Sequence, residues 1–215
     1  LIYHNVTPPE YFESSDPLRA YLARQGIEQL DGLRPHTELA LADSRYNETD
    51  LRQAGFPRTA VLPLCLQTER YEGAVNVDLM KELTGNGPKI LFIGRLAPNK
   101  RQEDLVKLLY FLRRFQPQAQ LYLIGDRWEV GYDRWVERLA ADLKVADGVT
   151  LAGKVSHIDM LTYLRAADLY VSMSEHEGFG VPLIESMLLN LPVVAFGVTA
   201  VPETMGEAGI VFYRK

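Results

Sequence analysis

The sequence predicts an α/β protein built on a doubly wound parallel sheet, and three observations lead to that fold class. From residue 89 onward, short apolar runs alternate with amphipathic runs. The apolar runs are nearly continuous, which is typical of strands that are covered on both faces of a parallel sheet. The chain has 215 residues, of which 47% are hydrophobic, so it is long enough to bury such a core. Right-handed crossovers then place helices on both faces, as in a Rossmann-like layer.

The second part of the chain supplies most of the predicted elements. Short runs rich in Val, Ile, Leu and aromatic residues predict strands at 89–94, 121–125, 149–151, 169–173, 192–196 and 210–212. Apolar residues at helical spacing predict helices at 103–115, 133–144, 159–166 and 182–189. Ligands of such sheets bind beyond the carboxyl ends of the strands, so the loops after residues 93, 173 and 196 are candidate sites.

The first part of the chain is less regular. It predicts strands at 2–5, 38–44 and 60–64, and helices at 16–30 and 47–54. These strands are too few to close a sheet of their own, so we expect residues 1–65 to be the end of a preceding domain. Polar residues and glycines at 66–88 predict a linker, and residues 89–215 form the second domain. The chain starts with Leu1, within a predicted strand, and we expect it to be a piece of a longer protein.

Composition excludes several classes of function. The net charge is −5 and the pI about 5.5, whereas a dedicated nucleic-acid-binding protein is normally basic. Cys65 is the single cysteine, so no intrachain disulfide can form, and a reducing cytoplasm fits best. No apolar run approaches the roughly 18 residues that a membrane span needs.

The strongest motif covers residues 174–185, Ser-Glu-His-Glu-Gly-Phe-Gly-Val-Pro-Leu-Ile-Glu, between a predicted strand and a predicted helix. Gly178 and Gly180 allow backbone amides to approach a ligand, and the helix N-terminus adds partial positive charge. Glu177 and Glu185 can accept hydrogen bonds from sugar hydroxyls in the same crevice. The residues fit equally well a tight turn, with Glu185 complementing the helix dipole.

A second motif, Gly-Arg-Leu-Ala-Pro-Asn-Lys at 94–100, follows the strand at 89–94 and precedes a helix. Arg95 and Lys100 bracket this loop and could bind a pyrophosphate. The alternative is a pair of solvated surface cations. The position at the carboxyl end of a strand favours the binding site.

A nicotinamide-dependent oxidoreductase is the first alternative for a Rossmann-like layer. It requires a G-x-G-x-x-G turn after the first strand and an acidic residue about 20 positions on. The strand at 89–94 leads into Gly94 and Arg95 with no such turn, and the Gly178–Gly180 pair has no third glycine. The sequence therefore excludes this alternative.

The two motifs, together with Val-Pro-Glu at 201–203 before Gly209, resemble those of the family-four (group 1) retaining glycosyltransferases of the two-domain GT-B fold. Residues 41–46 are similar to the strand-to-helix junction that precedes the interdomain linker of that family. The resemblance implies that residues 89–215 are the donor-binding half, truncated at its C-terminus, and that residues 1–65 are the end of the acceptor domain.

The resemblance also implies roles for individual residues. Arg95 and Lys100 would neutralise the diphosphate of the donor and the charge that develops as the sugar leaves, in place of a metal ion. Glu177, with the backbone of Phe179 and Gly180, would hold hydroxyls of the donor sugar.

Further roles come from the flanking elements. Glu185 would bind the ribose, the loop with Lys154 and Val155 would lie against the base, and His4 would face the reacting carbon. The implied catalytic residues are His4, Arg95, Lys100 and Glu177, and the implied donor-binding residues are Gly94, Arg95, Lys100, Lys154, Val155, Glu177, Gly178, Phe179, Gly180, Val181 and Glu185. The other histidines, His36, His157 and His176, are expected to be surface or loop residues.

The implied activity is the retaining transfer of a hexose, with mannose one candidate, from a GDP- or UDP-linked donor to a glycan or lipid-linked acceptor in cell-surface polysaccharide synthesis. No cofactor or metal is implied, and nucleic acid is not a partner. The implied location is the cytoplasm, with peripheral membrane contact through the missing part of the acceptor domain. We expect this chain alone to be inactive. Two alternatives stay open: a non-catalytic nucleotide-sugar binding module, and a sugar-phosphate synthase of the same fold.

Overall fold

The computed structural model describes residues 1–85, 87–127 and 131–215, and its strands form two parallel sheets. The first sheet has the order β1-β2-β3, with β1 (Ile2–Tyr3), β2 (Ala40–Ala42) and β3 (Thr59–Val61). The second sheet has the order β6-β5-β4-β7-β8-β9, with β4 (Lys89–Ile93), β5 (Gln120–Ile124), β6 (Val149–Gly153), β7 (Leu169–Ser172), β8 (Val193–Phe196) and β9 (Ile210–Phe212). The predicted α/β fold with a parallel, Rossmann-like sheet is confirmed.

Helices connect the strands of both sheets. The helices are α1 (Pro17–Leu33), α2 (Arg45–Gln53), α3 (Val77–Leu83), α4 (Gln102–Leu112), α5 (Tyr132–Asp142), α6 (His157–Ala166), α7 (Val181–Leu188) and α8 (Val201–Met205). The short helices α3 and α8 were not predicted, because neither is long enough to show a helical repeat of apolar residues. None of the helices in the described residues has the length and apolar character needed to cross a membrane.

The order of the second sheet determines where a ligand can bind. Counted from β4, the order is 3-2-1-4-5-6, so the direction of winding reverses between β4 and β7. These two strands are paired in parallel, with Leu91 opposite Tyr170. Phe92 and Tyr170 stack with ring centroids 6.2 Å apart, and both are buried. The crevice of the fold therefore lies outside the carboxyl ends of β4 and β7.

The first sheet has a small core of its own. Its buried side chains are Tyr3, Leu30, Ala40, Ala42, Leu51 and Phe56. Helix α2 begins directly after β2, because the hydroxyl of Ser44 accepts a hydrogen bond from the Asn47 amide at 3.2 Å and so caps the helix. This capped end of α2 lies against the loop that follows β7.

Within the predicted linker, residues 71–76 contact α6, which covers the second sheet. The guanidinium of Arg165 donates to the carbonyls of Tyr71 and Gly73, both at 2.8 Å. Asn76, which caps α3, donates its backbone amide to the Thr162 hydroxyl, also at 2.8 Å. The division of the chain into 1–65, 66–88 and 89–215 remains a prediction.

Candidate active site

Two predicted site residues meet directly at the point where the winding reverses. Lys100 follows β4 and Glu177 follows β7, and Lys100 Nζ lies 2.6 Å from Glu177 Oε1. The side chains are 13% and 16% exposed, so solvent screens the pair only weakly. Lys100 Nζ also donates to the His176 carbonyl at 3.3 Å. A cation and a carboxylate are thus held together at the mouth of the crevice.

Arg95 adds a second positive charge beside this pair. The residue is exposed, and its charge interacts with those of Arg19 and Glu177. Burial lowers the pKa of the guanidinium, the charge of Arg19 in α1 lowers it further, and Glu177 opposes the change. The guanidinium stays protonated, since an arginine side chain is not deprotonated in proteins. Positive charges from both parts of the chain therefore influence one another here, and Arg95 and Lys100 are the cations that follow β4.

The loop after β7 is held by its carbonyl groups. Thr199 donates its hydroxyl to the Glu177 carbonyl at 2.9 Å, and Thr204 donates to the Phe179 carbonyl at 2.5 Å. The Gly178 carbonyl, which lies between those of Glu177 and Phe179 in the chain, accepts hydrogen bonds from the side chains of Ser44 and Asn47, which follow the first sheet's β2. Within the described residues, the amides of Phe179 and Gly180 donate to no protein acceptor. They lie at the start of α7, where the helix dipole adds positive potential.

Two glycines make this loop geometry possible. Gly180 has a φ of 86°, in the left-handed region, and forms the N-cap of α7. A Cβ at Gly178 would lie 2.9 Å from the His4 carbonyl oxygen and 3.0 Å from Asn5 Cβ. The loop after β7 and the segment after β1 can approach this closely only because Gly178 lacks a side chain.

Glu185 lies one turn inside α7 and is buried, with 7% of its surface exposed. Its Oε1 accepts a hydrogen bond from the Tyr71 hydroxyl at 2.6 Å. Burial and this carboxylate raise the pKa of Tyr71 to about 12. Burial raises the pKa of Tyr170 well above its ordinary value, and the charges of Glu177 and Glu185 raise it further. The Tyr170 hydroxyl donates to the Ile93 carbonyl at the end of β4.

His4 is brought to the same loop from the first sheet. It follows β1 directly, its side chain is 59% exposed, and its Nδ1 lies 3.3 Å from Oδ2 of the buried Asp43. The sequence signal for Asp43 was its place in the strand-to-helix junction at 41–46. Its contact with His4 was not predicted, because it depends on how β1 and β2 pair.

Lys154 and Val155 lie apart from the Lys100–Glu177 pair. They follow β6, which is separated from β4 by β5. Lys154 is exposed, and Val155 lines a cavity of about 400 Å³ with Asn76 and Asp159. Among the described residues, no group of three His, Cys, Asp or Glu side chains could hold a metal ion.

The expectation for His176 is wrong in one respect. The residue lies in a loop, as expected, but only 5% of its surface is exposed. Its ring packs against Tyr11 and Tyr46, with centroids 6.3 and 6.1 Å away. Burial, followed by the charge of Lys100, lowers the pKa of His176 to about 4. No pattern in the sequence singles out His176, and its burial results from aromatic rings of the first part of the chain that cover it.

The strand order and the charged loops at its reversal define a class of doubly wound α/β proteins that bind ligands at the carboxyl ends of their strands. The sequence model of the family described as Glycosyl transferases group 1 matches residues 87–215, which is more than half of the chain. The protein belongs to this family, as the motifs indicated.

Individual proteins are similar to the chain over different lengths. The GDP-mannose-dependent monoacylated alpha-(1-6)-phosphatidylinositol monomannoside mannosyltransferase of Corynebacterium glutamicum is 30% identical over 159 residues, covering 68% of this chain and 40% of that protein. Mannosylfructose-phosphate synthase of Agrobacterium fabrum is 34% identical over 113 residues, covering 50% of this chain and 25% of that protein. The chain therefore spans less than half the length of these relatives.

The fold is shared with solved structures. The structure of Anabaena HepE in complex with UDP and glucose matches 98% of this chain and 56% of its own, with a TM-score of 0.78 at 22% sequence identity. This match covers both sheets of the present chain, and it shows the fold of the GT-B glycosyltransferases.

Proposed function

We propose that this chain binds the donor in a retaining hexosyltransferase, and that residues 89–215 form the donor-binding half. The observation that carries the proposal is the contact between Lys100 and Glu177 at the reversal of the sheet order. A nucleoside diphosphate sugar needs cations for its phosphates and acceptors for its sugar hydroxyls. The two side chains, in contact at 2.6 Å, supply one of each.

The diphosphate would lie among Arg95, Lys100 and the free amides of Phe179 and Gly180. All four are positive or partially positive groups, and groups of this kind stabilise the charge that develops on a leaving group. Glu177 would turn from Lys100 toward hydroxyls of the donor sugar. This arrangement needs no metal ion to neutralise the phosphates.

The other predicted site residues would contact the ribose, the base and the sugar of the donor. Glu185 would accept from the ribose hydroxyls through the carboxylate oxygen that Tyr71 does not occupy. Lys154 and Val155 would lie near the base, and His4 would face the sugar from the first sheet.

Transfer with retention breaks the bond between the anomeric carbon and the diphosphate oxygen. The acceptor hydroxyl forms the new bond on the same face, and its proton passes to the departing phosphate. Arg95 and Lys100 stabilise the charge that appears on that phosphate. The atoms balance without any further reactant.

The names of the similar proteins support a nucleotide-linked hexose as the donor. The Corynebacterium relative is named for GDP-mannose and for a phosphatidylinositol mannoside, and HepE was solved with UDP and glucose. We propose a GDP- or UDP-linked hexose as donor, with mannose one candidate, and a glycan or lipid-linked acceptor in surface polysaccharide synthesis. The reaction would take place in the cytoplasm, with peripheral contact at the membrane.

Calorimetric titration of this chain with GDP, UDP, ADP and dTDP, first without metal and then with magnesium, tests the proposal. One nucleotide should bind without metal and raise the stability by about 2.7 kcal/mol at 100 times its dissociation constant. Lys100→Ala should remove most of this binding. Lys107→Ala, which removes an exposed lysine of α4 that pairs with Asp104, is the matched control and should bind normally. Failure of all four nucleotides to bind would refute the proposal.

A sugar-phosphate synthase is the second candidate, because mannosylfructose-phosphate synthase is similar to half of this chain. The two candidates share the donor and differ in the acceptor. Product analysis with a hexose phosphate and with a lipid-linked glycan separates them. Binding of the donor without transfer to either acceptor would favour the non-catalytic module.

A further inference from the structure

A chain of hydrogen bonds connects His4 with the loop after β7. His4 Nδ1 lies 3.3 Å from Asp43 Oδ2, and Asp43 Oδ1 accepts from Asn47 Nδ2. Asn47 Nδ2 also donates to the Gly178 carbonyl at 3.1 Å, and the Ser44 hydroxyl donates to the same carbonyl at 2.8 Å. Asp43 and Asn47 are 3% and 0% exposed. A buried path therefore runs from the histidine of the first sheet to the donor-facing loop of the second.

Chemistry fixes the direction of each bond in this path. A carboxylate only accepts hydrogen bonds, so the His4 nitrogen that faces Asp43 must carry a proton. In the neutral ring, the other nitrogen, Nε2, then has a free lone pair. His4 would thus offer an acceptor to a hydroxyl group in the crevice.

The orientation of the Asn47 amide is also determined. Its Nδ2 faces two acceptors, from Asp43 and Gly178, while its Oδ1 accepts from Asn5 Nδ2 at 2.6 Å. A flipped amide would place Asn47 Oδ1 against the oxygens of Asp43 and Gly178. It would also place the Asn47 NH₂ group against that of Asn5. Asn5 has a φ of 83°, a left-handed conformation that asparagine tolerates better than most residues, and it follows His4 directly.

We propose that Asp43 is a positioning residue that sets the tautomer of His4, and that Asn47 makes this setting depend on contact with Gly178. When the loop after β7 lies against α2, Asn47 holds Asp43 and Asp43 holds the His4 ring. When the loop moves away, Asn47 loses one of its two acceptors and Asp43 is held less firmly. The inference rests on the proposed function in one respect only: the ligand that receives the His4 lone pair is the donor sugar.

Nitrogen-15 NMR of histidine-labelled protein tests the tautomer without any ligand. At a pH where the ring is neutral, His4 should be protonated at Nδ1 in the wild type. In Asp43→Asn, the ratio of the Nδ1-protonated to the Nε2-protonated form should fall about tenfold, because a hydrogen bond to a charged group is stronger than one to a neutral group. Asp50→Asn is the matched control, since this carboxylate bonds to Tyr3 and Asn5 but not to His4, and it should leave the ratio unchanged.

The affinity for ligands provides the second measurement. The dissociation constant of the nucleoside diphosphate, divided by that of its sugar conjugate, reports how much the contacts to the sugar add to the affinity. Asp43→Asn should lower this ratio about fivefold, the contribution of roughly one hydrogen bond, and should leave the affinity for the nucleoside diphosphate unchanged. Asn47→Asp removes both donors of the amide and should act in the same direction.

The outcomes separate this inference from the proposed function. A wild-type His4 protonated at Nε2, or a tautomer ratio that Asp43→Asn leaves unchanged, overturns the positioning role, and the wild-type spectrum decides even if the variants do not fold. If no nucleotide binds to the wild type, the proposed function fails while the tautomer measurement still decides on Asp43.

Discussion

Replacing Glu177 with glutamine should strengthen the binding of a free nucleoside diphosphate while weakening the binding of the sugar. In the ligand-free protein, Lys100 Nζ lies 2.6 Å from the Glu177 carboxylate, and both side chains are mostly buried. A phosphate that recruits Lys100 must compete with this carboxylate. Glutamine keeps the size of the side chain and removes its charge.

The magnitude follows from the geometry of the pair. At an effective dielectric constant of about 20, two unit charges 2.6 Å apart attract by about 6 kcal/mol. Desolvation of the two ions offsets most of that attraction, and a net coupling of about 1 kcal/mol remains. Removal of the competing carboxylate should therefore tighten the binding of GDP or UDP about fivefold, since 1.4 kcal/mol corresponds to a factor of ten.

Titration calorimetry at low ionic strength measures the effect. Glu175→Gln is the matched control, because Glu175 lies in the same loop but pairs with Arg101 and Lys215 rather than with Lys100. The control should bind the nucleoside diphosphate as the wild type does. Unchanged or weaker binding by Glu177→Gln would show that Lys100 does not contact the phosphates.

Three further predictions concern stability and the loop after β7. Tyr71→Phe should lower the free energy of unfolding in urea by about 1–3 kcal/mol, because the buried Glu185 carboxylate loses a hydrogen bond. The protein should lose up to about 3 kcal/mol of stability as the pH falls from about 6.5 to about 4, because the pKa of His176 is about 4 in the fold and the unfolded chain binds the proton first. Urea titrations at several pH values should show a shallower pH dependence for His176→Gln, and an equal slope would refute this cause. Gly178→Ala should weaken the binding of the sugar conjugate more than that of the free nucleoside diphosphate in calorimetry, because a Cβ would meet the His4 carbonyl at 2.9 Å.

Residue pattern predicted the parts of the site that follow from the strand order. Lys100 and Glu177 are 77 positions apart, but each follows a strand, and the two strands are neighbours in a doubly wound sheet. A residue at the carboxyl end of such a strand is placed by the topology alone. The six strands of the second sheet were predictable because each is a short run of apolar residues, although only the inner strands β4, β5, β7 and β8 contain buried residues.

Contacts made by side chains from irregular segments were not predictable in this way. Tyr71 reaches Glu185 across 114 positions from a 3₁₀ turn, and no periodic pattern marks it. His176 is buried because Tyr11 and Tyr46 cover it, and neither ring belongs to the sheet that carries the loop. These contacts depend on how segments that are distant in the sequence pack against one another, which local sequence does not specify.

The carbonyl groups of the loop after β7 show how the two sheets divide the site between them. Those of Glu177 and Phe179 are held by Thr199 and Thr204, which belong to the second sheet and its connections. The Gly178 carbonyl is held from the first sheet. Separation of the sheets would therefore free one carbonyl and leave its neighbours in place, so the adjacent amides would still face the crevice.

This division has a consequence for ligand binding under the proposed function. A free nucleoside diphosphate needs Lys100 and the loop amides, all of which the second sheet orients without help. A nucleotide sugar would also reach His4, whose ring is held more firmly while the sheets are in contact. Since a ligand shifts an equilibrium only by its differential affinity for the two states, the sugar conjugate should favour contact between the sheets and the free diphosphate should not. Release of the sugar to an acceptor would then remove the contribution of the sugar to the contact between the sheets and would favour their separation.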